Sequence, residues 1–240
     1  MTSIDALKIT IHMSKYPMEP SQLNYLSAMG IQPWQSKQSM PAPRVQPMET
    51  LVNLCASVAH CTACILHKTR TQTVFGVGNQ QADLMLIGEA PGFYEDQKGE
   101  PFVGRAGQLL NAMLQAIGLD RRTVYIANIL KCRPPNNRDP LPDEVSQCTG
   151  FLTKQIALIQ PKLLLALGRI AAHHLLNTQA SLGQMRGKLH SYGTDNTIPL
   201  VVTYHPAYLL RNPQDKNKAW QDLQLIHRSL NNLIKKELTK

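Results

Sequence analysis

Three polar side chains with catalytic potential each follow the end of an apolar run in this chain. Glu89, Asn128 and His205 lie within two residues of the end of such a run. If the runs are parallel strands, their carboxyl ends share one crevice, which is where open α/β sheets bind ligands. A lone histidine is more often structural, but its position after a strand, together with the carboxylate and the amide, favours function. The pattern predicts an active site.

Cysteines form the second group with chemical potential. Cys61 and Cys64 make a C-x2-C pair, and fifteen residues separate Cys132 from Cys148. Cys55 lies on a predicted helix and is interpreted as a bystander. A cytosolic setting disfavours disulfides, which leaves a metal site, a redox pair or buried unligated thiols. The pair precedes the first predicted strand, unlike a thioredoxin motif, and a second C-x2-C for a zinc ribbon is absent. The spacing favours a four-cysteine metal site and leaves iron–sulfur and Zn²⁺ comparable.

The elements that must position these groups alternate along the chain from Glu49 onward. Apolar runs predict strands near 83–88, 123–129, 162–167 and 198–204. Helical spacing predicts helices near 49–60, 104–117, 142–159, 168–177 and 214–236. Alternation of this kind builds a parallel sheet covered by helices on both faces. We therefore predict an α/β fold.

Charge and hydropathy restrict the classes of partner. The net charge of +9 and the pI of about 9.4 favour a polyanion such as nucleic acid, although a basic surface kept for solubility has the same composition. No run approaches the ~18 apolar residues of a membrane span, and the N-terminus lacks a signal-peptide pattern. We expect no membrane association and a cytoplasmic location.

A change of composition near residue 48 predicts two regions. Residues 1–50 contain six of the sixteen prolines and six of the nine methionines. This composition predicts a flexible extension over 1–48, followed by one catalytic domain over 49–240. Within the extension, residues 21–34 have the spacing of a short amphipathic helix. That helix either packs on its own domain or docks on a partner, and weak likenesses suggest a replication clamp or clamp loader.

Five motifs in order across residues 50–230 resemble the family 4 uracil-DNA glycosylases, which carry an iron–sulfur cluster. They are Cys61-x-x-Cys64, Gly88-Glu-Ala-Pro-Gly-x-x-Glu-Asp96, Pro101-Phe-Val-Gly-Arg-Ala-Gly-Gln-Leu-Leu110, Asn128-Ile-Leu-Lys-Cys-Arg-Pro-Pro135 and His205-Pro-Ala-Tyr-Leu-Leu-Arg211. The resemblance implies a three-layer α/β/α sandwich with a central four-stranded parallel sheet. It also implies a monofunctional enzyme that flips uracil out of DNA, hydrolyses its N-glycosidic bond and leaves an abasic site.

The resemblance further implies a [4Fe-4S] cluster, whose ligands would be Cys61, Cys64, Cys132 and Cys148. Because hydrolysis transfers no electrons, we expect the cluster to have a structural role. It would organise the loop between the third and fourth of these cysteines.

The same resemblance implies roles in holding uracil. Phe102 would stack on the flipped base, Asn128 would read its N3 and O4 edge, and His205 would donate to O2, where negative charge develops. Backbone groups around Gly88, Glu89 and Ala90 would contact uracil oxygens. Glu95 would lie beside C5 and exclude the methyl group of thymine.

Two further implications concern water and DNA. Ala90 stands where the related family 1 enzymes carry a water-directing Asp, so we assign that task to Glu89, the adjacent carboxylate. Leu209 would wedge into the gap left in the duplex, and Arg211 would contact phosphates.

Two hypotheses from other classes remain open at this stage. One is a non-catalytic DNA-binding module built on the four-cysteine metal site. The other is a replication-fork interaction protein that acts through residues 21–34. We expect a monomer that acts on uracil-containing DNA, single- or double-stranded.

Overall fold

The computed structural model describes residues 24–25, 28–30, 50–193 and 197–238. Internal contacts divide the chain into two units, Met1–Met48 and Glu49–Lys240. The predicted docking helix over 21–34 lies largely outside the described residues, and so does the predicted extension. No helix in the described ranges is long and apolar enough to span a membrane.

The second unit contains a six-stranded sheet and eight α-helices among its described residues. The strands are β1 (Val77–Gly78), β2 (Leu84–Gly88), β3 (Tyr125–Asn128), β4 (Leu163–Leu167), β5 (Leu189–Tyr192) and β6 (Ile198–Thr203). The helices are α1 (Leu51–Ala59), α2 (Phe93–Lys98), α3 (Arg105–Gln115), α4 (Pro142–Ile159), α5 (Arg169–Leu176), α6 (Leu182–Met185), α7 (Pro206–Arg211) and α8 (Lys216–Leu238). Short 3₁₀ turns cover Ile65–Lys68, Pro135–Asn137 and Pro213–Asp215.

The strand order is β1-β3-β2-β4-β6-β5. The four central strands are parallel, as the sequence predicts, and the α/β prediction is confirmed. Two further strands that were not predicted, β1 and β5, pair antiparallel to their neighbours at the two edges of the sheet. Neither edge strand forms an apolar run that the sequence would reveal, because β1 has only two residues and β5 has no buried residue.

Helices cover both faces of the sheet because its central strands are apolar on both sides. In β2, Met85 and Ile87 pack with residues of α4, α5 and α6, whereas Leu84 and Leu86 pack with residues of α3 and α8. The structure is therefore the predicted three-layer sandwich. All five residues of β2 are buried, which accounts for the continuous apolar run in the sequence.

A close approach of backbone to backbone fixes the start of α3. A Cβ atom at Gly107 would lie 1.7 Å from the carbonyl oxygen of Phe102. Atoms at that distance overlap, and the contact is with backbone, which cannot swing away. Only glycine therefore lets the first turn of α3 pack beneath the segment that carries Phe102.

We predict that Gly107→Ala lowers the free energy of unfolding by about 3 kcal/mol or more, because the added methyl group overlaps the Phe102 carbonyl. The matched control is Gly150→Ala in α4, where an added Cβ meets nothing within 4 Å. That change should raise the free energy of unfolding by up to about 1 kcal/mol through helix propensity. Chemical denaturation of both variants tests the pair, and equal effects would contradict the prediction.

Candidate active site

A cavity of about 430 Å³ opens at the carboxyl edge of the sheet. Glu89, Asn128 and His205 all line it, so the structure brings together the three strand-end residues singled out in the sequence. They follow β2, β3 and β6. Because β4 separates β2 from β6, its exit must leave room for His205. Gly168 provides that room, since a Cβ there would lie 2.9 Å from the Cβ of His205.

Phe102, Asn128 and His205 line one part of the cavity, which is called the slot. A Cβ atom on Gly88 would lie 2.4 Å from Asn128 Oδ1 and 2.7 Å from the ring of Phe102. The missing side chain therefore lets an amide and an aromatic ring meet at the end of β2. The Phe102 ring also lies near the imidazole of His205, with 5.6 Å between the ring centroids. A flat ring with polar edges fits such a slot.

The backbone of Phe102 is in the left-handed region, with φ +55°. Such a conformation is unfavourable for a bulky residue and persists only when the surroundings enforce it. Arg121 supplies part of that enforcement, because its guanidinium donates to the carbonyl oxygens of Pro101 (2.8 Å) and Phe102 (3.2 Å). The strain is therefore located at the residue predicted to stack on a base. Arg121 was not predicted, and only its partners reveal its role.

Asn128 is 2% exposed, and its Oδ1 atom has no hydrogen-bond partner among the described residues. A buried acceptor without a partner costs about 1–3 kcal/mol. Its backbone, by contrast, is held firmly. The buried Lys131 Nζ donates to the Asn128 carbonyl (2.7 Å) and to Gln155 Oε1 (2.6 Å). The arrangement keeps an open acceptor aimed into the cavity, ready for a ligand donor.

His205 is both the last residue before α7 and its N-cap. The N–H of Ala207 donates to His205 Nδ1 at 3.1 Å. Because Nδ1 accepts, a neutral imidazole must carry its proton on Nε2. Burial lowers the pKa of His205 to about 4, with the positive charge of Arg211 as a second cause. His205 is therefore a neutral Nε2–H donor near pH 7.

Glu89 is half-buried, and burial raises its pKa to about 7. The negative charge of Asp139 adds to this rise, whereas Arg169 opposes it. Arg169 pairs with Asp139 at 3.3 Å, and Asp139 lines the same cavity. A carboxyl group with a pKa near 7 can accept a proton at physiological pH.

The two acidic residues that follow Glu89 have different placements. Glu95 lines the cavity, and its Oε1 accepts from the N–H groups of Val103 (2.9 Å) and Gly104 (3.1 Å). This carboxylate therefore fixes the segment after Phe102. Asp96 is buried outside the cavity and accepts from the Thr71 N–H.

Of the remaining predicted site residues, two line the cavity and one is buried in the core. Ala90 and Arg211 line the cavity. Leu209, predicted to wedge into DNA, is 1% exposed and packs in the core, so this side chain is not available to a duplex. Leu210 is 36% exposed instead. The short helix α7 turns Leu209 inward and Leu210 outward.

Residues 75–224 match the model of the uracil DNA glycosylase superfamily. The chain belongs to this superfamily.

Several curated members of the superfamily that are similar to this chain are type-4 uracil-DNA glycosylases. A type-4 uracil-DNA glycosylase of Archaeoglobus fulgidus is 44% identical over 75% of this chain and 92% of its own length. The type-4 uracil-DNA glycosylase of Saccharolobus solfataricus is 41% identical over 76% of this chain and 88% of its own length. The type-4 enzyme of Thermotoga maritima is 46% identical over 65% of this chain and 80% of its own length. The predicted resemblance to family 4 is confirmed.

Four of the five cysteines converge away from the uracil-DNA glycosylase cavity. Cys61, Cys64, Cys132 and Cys148 line one small enclosed space, whereas Cys55 is exposed on α1. Among the described residues, no three His, Cys, Asp or Glu side chains are close enough to share a single metal ion.

Positive and donor groups surround these thiols. Arg70 Nη1 lies 3.1 Å from Cys132 Sγ, and the Lys131 N–H lies 3.3 Å from Cys148 Sγ. Such donors stabilise thiolate ligands of a metal cluster. Without a metal, burial raises the pKa of both Cys132 and Cys148.

One wall of the cavity consists of residues that were not predicted from the sequence. That wall comes from the loop between Cys132 and Cys148, and its lining residues are Pro134, Asn137, Arg138 and Asp139. Arg138 holds the loop through a two-point pair with the buried Glu144 at 2.6 and 2.9 Å. Only the two flanking cysteines signalled that this loop has a fixed path.

We predict that Asn128→Leu leaves the free energy of unfolding unchanged or raises it by about 1 kcal/mol, because it removes a buried acceptor without a partner. Asn128→Asp is the matched comparison. It keeps the shape but buries a charge, and it should lower the free energy of unfolding by about 2 kcal/mol or more at neutral pH. Thermal and chemical denaturation measure both. A strongly destabilised Leu variant would show that the amide supports the fold rather than a ligand.

Proposed function

We propose that the protein is a DNA repair glycosylase that flips uracil out of DNA and hydrolyses its N-glycosidic bond. The observation that carries the proposal is the buried Asn128 acceptor facing a slot walled by Phe102. Uracil offers a donor at N3 and an acceptor at O4, and an amide side chain can match both. Cytosine reverses this pattern. Phe102 supplies a face on which the flipped base stacks.

Bond cleavage leaves negative charge on the departing uracil. His205 Nε2–H donates to O2, where that charge develops, and the neutral imidazole needs no proton transfer to do so. The attacking water gives its oxygen to C1′ while the C1′–N1 electron pair stays with the base. Glu89 orients this water and accepts its proton. Ala90 beside it lacks a side chain that could take this task.

Selection against thymine depends on shape. Glu95 lies in the cavity and is fixed by two backbone donors, so it cannot move aside easily. We assign to it the exclusion of the C5 methyl group. Ala90 lines the cavity and Gly88 is the last residue of β2, two positions before it, and their backbone groups would contact uracil oxygens.

DNA contacts extend from the mouth of the cavity. Arg211 is exposed there and would contact phosphate. We assign the apolar contact with the gap in the duplex to Leu210 rather than Leu209, because Leu210 is the exposed member of the pair.

A [4Fe-4S] cluster held by Cys61, Cys64, Cys132 and Cys148 belongs to the same proposal. The support is a donor set of four thiols around one enclosed space, with cationic and N–H groups nearby. When bound, the cluster would join three parts of the chain. These are the segment before β1, the segment that follows β3, and α4. It would thereby fix both ends of the loop that forms one cavity wall.

The remaining predictions are carried forward as proposals. These are a cytoplasmic location, a monomer, a flexible extension over 1–48 and docking on a replication clamp or clamp loader through residues 21–34. Removing residues 1–48 should leave uracil release in vitro unchanged.

The activity is tested with an end-labelled oligonucleotide that carries one uracil. After incubation, alkali cleaves abasic sites, and a sizing gel reports where they formed. Cutting only at uracil, and only after alkali, supports a monofunctional uracil-DNA glycosylase. Thymine and cytosine oligonucleotides are the controls. Iron-loaded, folded protein that binds DNA without releasing uracil would favour the non-catalytic binding module instead.

We predict that the rate of uracil release rises with pH and levels off above a midpoint near 7, because Glu89 with its pKa of about 7 must be ionised to accept a proton. His205, with a pKa of about 4, stays neutral over this range and adds no second transition. Glu89→Gln should lower the single-turnover rate by at least about 100-fold and remove the pH dependence while DNA affinity persists. Near-normal turnover in this variant would reject the catalytic carboxylate.

We predict that Cys132→Ser lowers the iron content and the visible absorbance of the purified protein. Its midpoint of thermal unfolding should fall by several degrees, because the loop loses an anchor. Cys55→Ser is the matched control and should change neither quantity, since Cys55 is exposed and lies outside the cluster of thiols. A stable, active and iron-free Cys132→Ser protein would contradict the structural role of the cluster.

A further inference from the structure

Two adjacent aromatic side chains are exposed at the start of α2. Phe93 is 50% exposed and Tyr94 is 60% exposed. Their rings pack edge to face, with 5.5 Å between centroids and 81° between planes. Each ring therefore stiffens its neighbour while large parts of both stay open to solvent.

A cation completes this surface. The guanidinium carbon of Arg133 lies 5.1 Å from the centroid of the Phe93 ring. Arg133 is itself held, because its Nε donates to Asn137 Oδ1 at 2.7 Å. Phe93, Tyr94 and Arg133 together are called the aromatic patch below. Two separate segments of the chain build it.

The aromatic patch borders the uracil cavity. Gly92 and Glu95, which flank the aromatic pair in the chain, both line the cavity. Pro134, directly after Arg133, and Asn137 line it from the other segment. The patch is therefore continuous with the mouth of the cavity rather than a separate feature.

Neither ring is needed to fill the core, and neither belongs to the two clusters of buried apolar residues. Aromatic rings with an arginine form the surface on which unpaired nucleobases stack. The chain's net charge of +9 favours an anionic occupant, such as nucleic acid, over an apolar or basic protein surface.

The reaction itself creates a suitable occupant. When uracil leaves the base stack, the neighbouring base on the same strand loses a stacking partner and exposes one face. That strand must run across the mouth of the cavity, which the aromatic patch borders. We propose that the aromatic patch is a stacking platform for the nucleobase next to the flipped uracil.

This inference rests on the proposed function and specifies its substrate further. In a duplex the neighbouring base keeps its pairing and one stacking partner. In a single strand the neighbouring base has no pairing partner and no fixed stacking partner. The aromatic patch therefore contributes more to the binding of single-stranded DNA. The protein should therefore depend on the aromatic patch more with single-stranded than with double-stranded uracil DNA.

The test pairs protein variants with altered neighbours. Phe93→Leu with Tyr94→Leu removes the aromatic faces but keeps apolar bulk, and Phe93→Tyr with Tyr94→Phe keeps both rings. Substrates are single-stranded oligonucleotides with uracil between two adenines, or with one adenine replaced by a tetrahydrofuran abasic analogue on either side. The measurements are kcat/KM for uracil release and the single-turnover rate at saturating enzyme.

The wild type and the ring-keeping variant should lose between about 5-fold and 100-fold in kcat/KM when the base on one side is removed. The leucine variant should show a loss of that size with adenine on both sides and little further loss without the base. Its saturating rate should stay close to wild type. The proposal would be overturned if the leucine variant lost the same factor in kcat/KM, relative to wild type, on every substrate. It would also be overturned if the leucine variant lost no kcat/KM on any substrate.

Failure of the proposed function has a different result. A wild-type protein that releases no uracil from any substrate would reject the glycosylase assignment. Fluorescence anisotropy with the same single strands, carrying a 2′-fluorinated uridine that resists cleavage, then measures the platform independently. Affinity that falls on removing the neighbouring base in wild type, and not in the leucine variant, supports the platform. Unchanged affinity in wild type overturns it.

Discussion

The geometry of the cavity depends on the absence of a side chain at Gly88. One Cβ atom there would overlap both the Asn128 amide and the Phe102 ring. With hydrogen in its place, the end of β2 leaves room for both the amide and the aromatic ring. Around this contact the chain accepts two unfavourable features, a left-handed Phe102 and a buried acceptor without a partner. Both are expected where binding of a ligand, rather than stability, has shaped the packing.

The second constraint acts on the loop that closes the cavity from outside the sheet. Cysteines stand at both of its ends, and a charge pair between Arg138 and the buried Glu144 holds its middle. Lys131, next to the first of these cysteines, bonds the Asn128 carbonyl and Gln155 of α4. The cysteine site and Asn128 are therefore linked through one buried side chain. A defect at either place would be transmitted to the other.

Much of this architecture could be predicted from the sequence because its signals are local. Buried parallel strands are continuous apolar runs, so the four central strands were found within one or two residues. The residues at their ends, Glu89, Asn128 and His205, could be assigned to one crevice from topology. The remainder depends on contacts between distant segments. Arg121 and Lys131 act through backbone carbonyls that no spacing reveals, and Leu209 and Leu210 differ only in which way a short helix turns.

The imidazole of His205 owes its tautomer to its own chain. Its Nδ1 accepts from the backbone of Ala207, two residues further on, and not from another side chain. Many catalytic histidines depend on a distant carboxylate for that control. Here the orienting group is a backbone N–H only two residues away in the same segment. Under the proposed roles, reshaping the Asn128 side of the slot to accept a different lesion would leave the His205 side untouched, because, within the described residues, Lys131 holds the first and Ala207 orients the second.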